Sequence, residues 1–425
     1  MRAEAGLPYA GRSARAVPMA LTLPGFQLLA LLLLLPIFMQ PFQYLLDVPP
    51  LWTFAKVSPL LLLPLSLLGL MRLRLPYVAL TLALLAYVLL VAPVMSMISL
   101  ENNLVEGIGS TVKVWSFSFY FCVALVLFRL RATDETLTRA FAALAVLNFA
   151  MLLLLWIVMP LESYGGQTGS IFLNDNERGP RIQLPMALGL MGMFLLARRF
   201  SARPALWPPV LMLIGLVLML IIFKQRTIIA AVILISLWGM TAGWRRRTPT
   251  LFLGAALAMV PLMAMVAALW PVLAPSVGDG WLRGSLGGSL WVRENSAAML
   301  TGFLAENPLR WIFGVGGSTA FSEINIQVIL RTPDFFFADL GWLGVIGEYG
   351  LVGFALIVAF YLAAWRETWR AVRMKATPLR HALNDMVLFM LITSPILSMV
   401  YTPGIVATVL AIAVWLQRVT PPGRA

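Results

Sequence analysis

Two cations interrupt a long apolar stretch of this chain and could bind an anionic substrate. Lys224 and Arg226 lie in an otherwise apolar run from Trp207 to Trp244. Charged side chains near a bilayer are costly and tend to be functional. Arginine stabilises negative charge on a leaving group through paired hydrogen bonds. We expect the two cations to hold an anion such as a lipid phosphate; the alternative is a tight hairpin turn whose polar tip touches the headgroups.

A carboxylate, Asp339, stands just before another apolar run and could accept a proton from an attacking hydroxyl group. The alternative role for Asp339 is that of a helix N-cap. Glu348 follows about two and a half helical turns later. It could support the same chemistry or serve as a hydrogen-bonded structural group. Asp339 is therefore a candidate catalytic residue, with Glu348 as a possible supporting group.

Further charges lie in two polar segments. In the segment 161–182, Arg178 and Arg181 could help Arg226 with a phosphate, or pair with the acids beside them. The segment 275–340 is the longest that a bilayer could not hold, and it carries Arg293 and, as a possible supporting group, Asp334. We expect Arg226 and Arg293 to reach one anion.

Several classes of function are excluded by composition and charge distribution. One cysteine, Cys122, and one histidine, His381, leave neither a thiolate site nor a histidine cluster for a metal. The glycine-rich stretch 314–317 completes no nucleotide-binding pattern, which favours a flexible turn. The net charge of +13 is distributed along membrane edges and does not indicate nucleic acid. We therefore expect no metal, cofactor or nucleic-acid partner.

The elements that must position these residues are helices within a membrane. Apolar residues make up 60% of the chain, and the mean hydropathy is +0.89. Runs of about 20 apolar residues can each cross a bilayer, and their continuous apolarity predicts helices. The predicted spans are 19–39, 51–71, 76–98, 112–130, 139–160, 183–198, 207–223, 227–244, 250–274, 341–365, 384–401 and 403–417. The sequence thus predicts an all-α integral membrane protein with about twelve spans.

Three regions follow from this division. Residues 1–274 form an N-terminal bundle of about nine spans, 275–340 a large loop with short helices, and 341–425 about three C-terminal spans. Most of the 31 Lys and Arg residues fall on one side if the N-terminus is cytoplasmic. We therefore expect both termini in the cytoplasm, and Asp339 and the large loop on the opposite face.

Short motifs resemble the O-antigen ligase/polymerase family of bacterial membrane proteins, over most of the chain. Phe172-Leu173-Asn174-Asp175-Asn176 is similar to the family's asparagine-bearing loop, and Gln225-Arg226-Thr227 to its Ser-Arg-Thr motif. Arg293 with Asn307-Pro308-Leu309 and Gly314-Val315-Gly316 resembles the family's large loop. Asp339-Leu340-Gly341-Trp342 departs from the His-Asn pair of the ligases and is closer to the Asp-x-Gly-Tyr of the polymerases.

The resemblance implies a glycosyltransferase at the periplasmic face of the bacterial inner membrane. Its donor would be a glycan on polyprenyl pyrophosphate, and its acceptor a sugar hydroxyl on a second lipid carrier. The enzyme would need no metal and would invert the anomeric configuration. Membrane lipids and a chain-length regulator protein would be its other partners. The expected products are O-antigen, capsule or exopolysaccharide.

Two other functions stay open at this point. A ligase would use the same chemistry to move a finished glycan onto lipid A core or another acceptor. A lipid or polysaccharide transporter belongs to a different class, and typically carries inverted repeats and charges near mid-span. The sequence shows no matching halves, and its outer charges lie at the ends of the spans, which favours the enzyme.

Overall fold

The computed structural model describes residues 24–40, 48–165, 171–175, 179–242, 286–317, 326–330, 332, 335–397 and 399–420. Among the sequence-based predictions, the span 250–274 and the side chains of Arg178 and Asp334 lie outside these described residues. The described secondary structure is almost entirely helical, with one two-stranded sheet. This confirms the all-α character of the chain.

The first part of the chain contains eleven described helices. They are α1 Pro24–Phe38, α2 Pro49–Leu61, α3 Leu63–Arg72, α4 Val78–Ala86, α5 Ala92–Leu100, α6 Leu104–Thr111, α7 Phe119–Leu130, α8 Asp134–Val158, α9 Ala187–Ala202, α10 Trp207–Leu218 and α11 Arg226–Thr241. Several are joined without a break by tighter or wider turns. The π-helical turns are Tyr87–Val91 and Met219–Phe223, and a 3-10 segment covers Val112–Ser118.

The remaining described helices follow the long polar segment or lie inside it. They are α12 Leu286–Ala305, α13 Pro308–Phe313, α14 Ile326–Ile329, α15 Gly341–Met374, α16 Pro378–Thr393 and α17 Pro403–Arg418. Short 3-10 turns precede α15 and α17, at Phe337–Leu340 and Met399–Tyr401. Helix α12 lies within the segment 275–340, where the sequence predicts short helices. Asn307 ends it and caps α13, with its side chain accepting from the Leu309 N–H at 3.0 Å.

Five described helical stretches are long and apolar enough to cross a membrane, by length and composition. They are Pro49–Arg72, Val78–Leu100, Leu104–Leu130, Asp134–Val158 and Phe337–Met374. Shorter apolar helices cover Gly25–Phe38, Trp207–Phe223, Arg226–Thr241 and Pro403–Arg418. The chain is therefore a membrane protein. Apart from 250–274, each predicted span overlaps a helix, while the number of spans and their orientation stay predictions.

The centre of the bundle is α17. Every residue from Pro403 to Leu416 is buried, and α7 and α15 pack along it. Elsewhere the helices approach closely through small residues, as membrane helices commonly do. A side chain at Gly192 would collide with Ala145, and one at Gly69 would collide with the backbone of Phe121. Lipid-facing surfaces, by contrast, carry large exposed apolar side chains such as Leu90 and Ile157.

Helix α15 is broken near its start, at Gly350. This residue has φ 65° and ψ −179°, a conformation essentially confined to glycine. The chain before α15 seals the break: the Val315 N–H donates to the Gly347 carbonyl at 2.8 Å, and the Gly316 N–H to the Glu348 carbonyl at 3.0 Å. Irregular backbone at membrane depth is tolerated where protein satisfies it. The prediction of a flexible glycine turn at 314–317 is therefore wrong, because the stretch is buried and held in place.

The polar segment 161–182 forms a small hairpin. Strand β1, Phe172–Asp175, pairs antiparallel with β2, Gly179–Ile182, so that Leu173 lies opposite Arg181. The side chain of Ile182 is fully buried, and β2 packs against the π-helical turn Met219–Phe223. The strands are only four residues long, too short to show alternation among the loop residues. The sequence therefore predicts a loop where the structure has a sheet.

Buried ion pairs hold together the helix ends that lie far from Asp339. Arg198 donates twice to the Asp385 carboxylate, at 2.5 Å from both Nε and Nη2. Arg380 is 1% exposed and pairs with Asp134 at 3.0 Å, and it also donates to the Leu416 carbonyl. In the sequence, Arg198 and Arg380 are recognisable only as two of the cations that indicate the orientation in the membrane. Their structural role is invisible in sequence because their partners lie far away in the chain.

The orientation can be tested by cysteine labelling. Cysteines replacing the exposed residues Glu162 and Glu306 should react with a membrane-impermeant thiol reagent in intact cells. A cysteine replacing the exposed Lys375 should react only after permeabilisation. The native Cys122 is 0% exposed, so the background should be low. Labelling of the residue 375 variant alone in intact cells would invert the proposed topology.

Candidate functional site

A cavity of about 200 Å³ lies where the ends of several helices meet the start of α15. Most of its surface is apolar, and the largest shares come from α16 and from the segment 184–190, which leads into α9. Its polar lining residues are Gln40, Gln183, Gln225, Asp339 and Thr402. A polar group in an apolar wall is costly unless it is satisfied or used. The convergence of these five residues makes this cavity the candidate functional site.

Asp339 reaches the cavity from the 3-10 turn Phe337–Leu340. Close contacts fix this turn: a side chain at Gly344 would collide with the Phe337 carbonyl, and one at Gly341 with the Pro395 carbonyl. The residue at the N-cap position of α15 is Leu340, and no side chain caps that helix. The N-cap alternative for Asp339 is therefore wrong. The carboxylate is held on a rigid turn at the cavity.

The turn bearing Lys224 and Arg226 adjoins the same cavity through Gln225. The π-helical turn before it ends with the Lys224 N–H donating to the Met219 carbonyl at 2.8 Å. Lys224 itself has φ 55°, in the left-handed region that non-glycine residues rarely adopt. Both π-turns and such backbone outliers are common at functional sites. The turn beside the cavity thus combines a π-helical turn with a left-handed residue, Lys224.

Arg181 comes to the same place from the hairpin. The strand β2 ends at Ile182, and Gln183 directly after it lines the cavity. Burial lowers the pKa of Lys224 below its usual value, and the Arg181 guanidinium lowers it further. The two cations are thus close enough for their charges to repel each other. An anion between them would relieve this repulsion.

The cavity therefore brings together residues from three distant parts of the sequence. Gln183 lies two residues after Arg181, and Gln225 lies between Lys224 and Arg226. Asp339 belongs to the turn before α15. Asp339 lines the cavity, and the cationic residues stand beside lining residues in the sequence. This arrangement can bind an anion and accept a proton close to it. The apolar walls are suited to hydrocarbon rather than to a free sugar.

Arg293 has a less direct relation to this site. It lies on α12, partly buried, and α12 packs against the turn Phe337–Leu340 and against α15. Leu300 and Leu304 make that packing face, and both are 0% exposed. Within the described residues, no contact joins Arg293 to Lys224 or Arg226. The shared anion of Arg226 and Arg293 stays a prediction.

Another arginine of the same polar segment has a structural role. Arg310 donates to the Phe303 carbonyl at 2.8 Å and to the Glu306 carboxylate at 2.6 Å. Its guanidinium also lies 3.9 Å from the centroid of the Phe303 ring. These contacts fasten α13 to the end of α12. Arg310 is therefore accounted for without a substrate.

Glu348 is fully buried at the break in α15 and does not line the cavity. Its Oε1 lies 2.7 Å from the Lys113 Nζ, an ion pair between residues on different helical segments. The ammonium group of Lys113 also lies 4.5 Å from the Tyr401 ring centroid. Lys113 is not among the residues predicted from sequence. It is an isolated lysine at the start of an apolar run, as Lys224 is at the end of one, and this signal could have identified it.

Comparisons with known proteins add no assignment, since the chain matches no protein-family model and no curated protein. Among the residues that the structure describes, no group of three or more His, Cys, Asp or Glu side chains could hold a metal ion. The site is therefore interpreted from its own residues.

Proposed function

We propose that this protein is a glycosyltransferase of the bacterial inner membrane. It would join oligosaccharide repeat units carried on polyprenyl pyrophosphate at the periplasmic face, with both termini in the cytoplasm. The observation that supports this most directly is the cavity, which combines a carboxylate, neighbouring cations and apolar walls. Glycan transfer from a lipid-linked pyrophosphate uses all three: cations for the pyrophosphate, apolar walls for the prenyl chain and a carboxylate for the proton of the acceptor hydroxyl. The resemblance of the motifs at 172–176 and 225–227 supports the same class.

In this proposal the cations hold the pyrophosphate of the donor. Lys224 and Arg226, with Arg181 beside them, would stabilise the charge that grows as the bond from the anomeric carbon to the pyrophosphate oxygen breaks. Arg293 and Arg178 would complete the anion site. The apolar wall of the cavity would take the first part of the prenyl chain. No nucleotide is needed because pyrophosphate is already a good leaving group.

Asp339 would act as the general base. The acceptor hydroxyl oxygen attacks the anomeric carbon from the face opposite the pyrophosphate, and its proton passes to the Asp339 carboxylate. The new glycosidic bond forms as the old bond breaks, so the configuration inverts and no sugar becomes attached to the enzyme. Asp334 and Glu348 would be supporting groups at most, since Glu348 is already paired with Lys113.

A ligase would use the same donor site. Its acceptor would be lipid A core or another glycolipid, and the relatives that the sequence resembles carry a histidine where this chain has Asp339. An imidazole or a carboxylate can each accept the proton. We favour the polymerase because the stretch Asp339-Leu340-Gly341-Trp342 is closer to the polymerase pattern.

A transporter is a candidate function of a different class, and one observation favours it. Helix α15 is broken at Gly350, and a buried ion pair between Glu348 and Lys113 adjoins the break. Broken helices with charges beside them are typical of transporters. The described Asp339 cavity lies elsewhere, at the helix ends, which suits an enzyme acting at the membrane surface. Bond formation in a purified system separates these two functions.

The anion site can be tested with Arg226. Arg226→Ala should lower kcat/KM for glycan transfer by a factor corresponding to about 2–4 kcal/mol, because a positioned charge donor is lost. Arg226→Lys should restore only part of the activity, because an ammonium cannot make the paired hydrogen bonds of a guanidinium. The matched control is Arg373→Ala, at the far end of α15, where the guanidinium stacks on Trp369. Equal activities for Arg226→Ala and the wild type would remove Arg226 from the site.

The role of Arg293 follows from the same assay. Arg293→Ala should cause a loss of similar size to that of Arg226→Ala. The double variant should lose less than the sum of the two free energies if both side chains hold one anion. Strict additivity of the two losses would place them at separate sites.

A further inference from the structure

A second pair of cations lies apart from the residues that line the Asp339 cavity. Lys56 is on α2, seven residues after Pro49 and so about 10 Å along the helix from its start. Helix α2 packs on the 3-10 segment Val112–Ser118, which carries Lys113. The two ammonium groups are close enough for their charges to interact unfavourably. The packing of these two segments thus brings Lys56 and Lys113 near each other.

One carboxylate offsets these two charges. Glu348 lies 2.7 Å from the Lys113 ammonium, and its side chain is 1% exposed. Among the described residues, no acid contacts Lys56, whose ammonium instead lies 5.8 Å from the Trp52 ring centroid. The three groups together carry a net charge of +1. A cation within a membrane-spanning helix is costly and is usually functional.

Aromatic rings and partial exposure make this cluster accessible. The Lys113 side chain is 22% exposed, and its ammonium lies 4.5 Å from the Tyr401 ring centroid. Trp52 is also partly exposed. The Trp52 and Tyr401 rings would therefore lie near an anion bound to Lys56 and Lys113. Such rings are stable at the boundary between lipid and water.

Residues next to the Lys113 side chain border the Asp339 cavity. Tyr401 lies between Met399 and Thr402 in sequence, and both of these residues line the cavity. On the other side, Ser116 of the segment that carries Lys113 donates to the Gln40 Oε1 at 3.1 Å, and Gln40 lines the cavity too. The Lys113 side chain thus lies near residues that border the cavity.

We propose that Lys56 and Lys113 form a second phosphate site, which binds the lipid-linked acceptor. This inference rests on the proposed function, because a polymerase must hold two prenyl-linked substrates at once. The donor pyrophosphate would lie with Lys224, and the acceptor phosphate with Lys56. Both anions would lie beside the cavity, and the sugars would meet at Asp339. Glu348 positions Lys113 and does not touch the substrate.

The test is the number of farnesyl pyrophosphate molecules that the purified full chain binds in detergent, by native mass spectrometry and equilibrium dialysis. The wild type should bind two. Lys56→Gln should weaken the binding of one molecule at least tenfold, and Lys224→Gln should weaken the binding of the other. The double variant Lys113→Gln/Glu348→Gln removes the ion pair as a whole and should weaken the same molecule as Lys56→Gln. The control Lys375→Gln, exposed at the far end of α15, should bind two.

The outcomes separate this inference from the proposed function. Binding of one molecule, lost in Lys224→Gln and unchanged in Lys56→Gln, would overturn the second site and leave the donor site intact. Loss in Lys56→Gln with no effect of Lys224→Gln would support the second site and overturn the donor site. Displacement from the Lys56-dependent site by an equal concentration of phosphatidylglycerol would identify an ordinary phospholipid site and overturn the acceptor assignment.

Discussion

Asp339→Asn should abolish measurable glycan transfer while the protein still folds and inserts. The substitution keeps the shape of the side chain and removes the basic oxygen, and loss of a positioned general base lowers rates by about 10²–10⁴-fold. Folding should be unaffected, because Leu340 occupies the N-cap position of α15 and the turn is fixed by its backbone contacts. The measurement is the initial rate of transfer with lipid-linked donor and acceptor.

Binding provides the control for this prediction. Asp339→Asn should bind the donor lipid with an affinity within a few-fold of the wild type, because the phosphate is held by cations. Glu162→Gln changes an exposed acid on the segment before the hairpin and should leave the rate unchanged. A rate for Asp339→Asn close to that of the wild type would show that Asp339 is not the base.

Gly350→Ala should severely destabilise the protein. The residue has φ 65° and ψ −179°, and an added methyl would collide with the Ile312 carbonyl and the Gly314 N–H. The backbone strain costs about 1–3 kcal/mol and the forced repacking about another 1–3 kcal/mol. We expect a lower yield of folded protein and a lower Tm in detergent.

A matched glycine shows whether the effect is local. Gly302 lies in the last turn of α12, with nothing within 4 Å of the position of an added methyl group. Gly302→Ala should be neutral or slightly stabilising, because alanine favours a helix over glycine. Equal melting temperatures for Gly350→Ala and Gly302→Ala would contradict the described break in α15.

The helices were predictable because continuous apolar runs leave a membrane-embedded chain little choice of backbone structure. The helical run Trp207–Phe223 has the same ends as the predicted span 207–223, since Trp207 starts the apolar run and Lys224 stops it. The break at Gly350 was not predictable. A glycine in an apolar run is common in membrane helices, and the residues that seal this break lie more than thirty positions earlier.

The candidate site was predicted in its charged residues and not in its neutral ones. Lys224 and Asp339 stand out because a charge beside an apolar run is costly, and each is found at or beside the cavity. Gln40, Gln183 and Gln225 carry no such signal. They are recognisable only once folding brings three distant segments to one cavity. Lys113 gave the same signal as Lys224, but its pairing with Glu348 depends on tertiary packing.

The most direct test of the central claim incubates the purified protein with lipid-linked oligosaccharides from cells that lack this gene. The proposal predicts a ladder of products, each one repeat unit longer than the last, with one polyprenyl pyrophosphate released at each step. Asp339→Asn, prepared in the same way, should give none. Unchanged substrate with the folded wild-type protein, or movement of the lipid across a vesicle membrane without a new glycosidic bond, would contradict the proposed function.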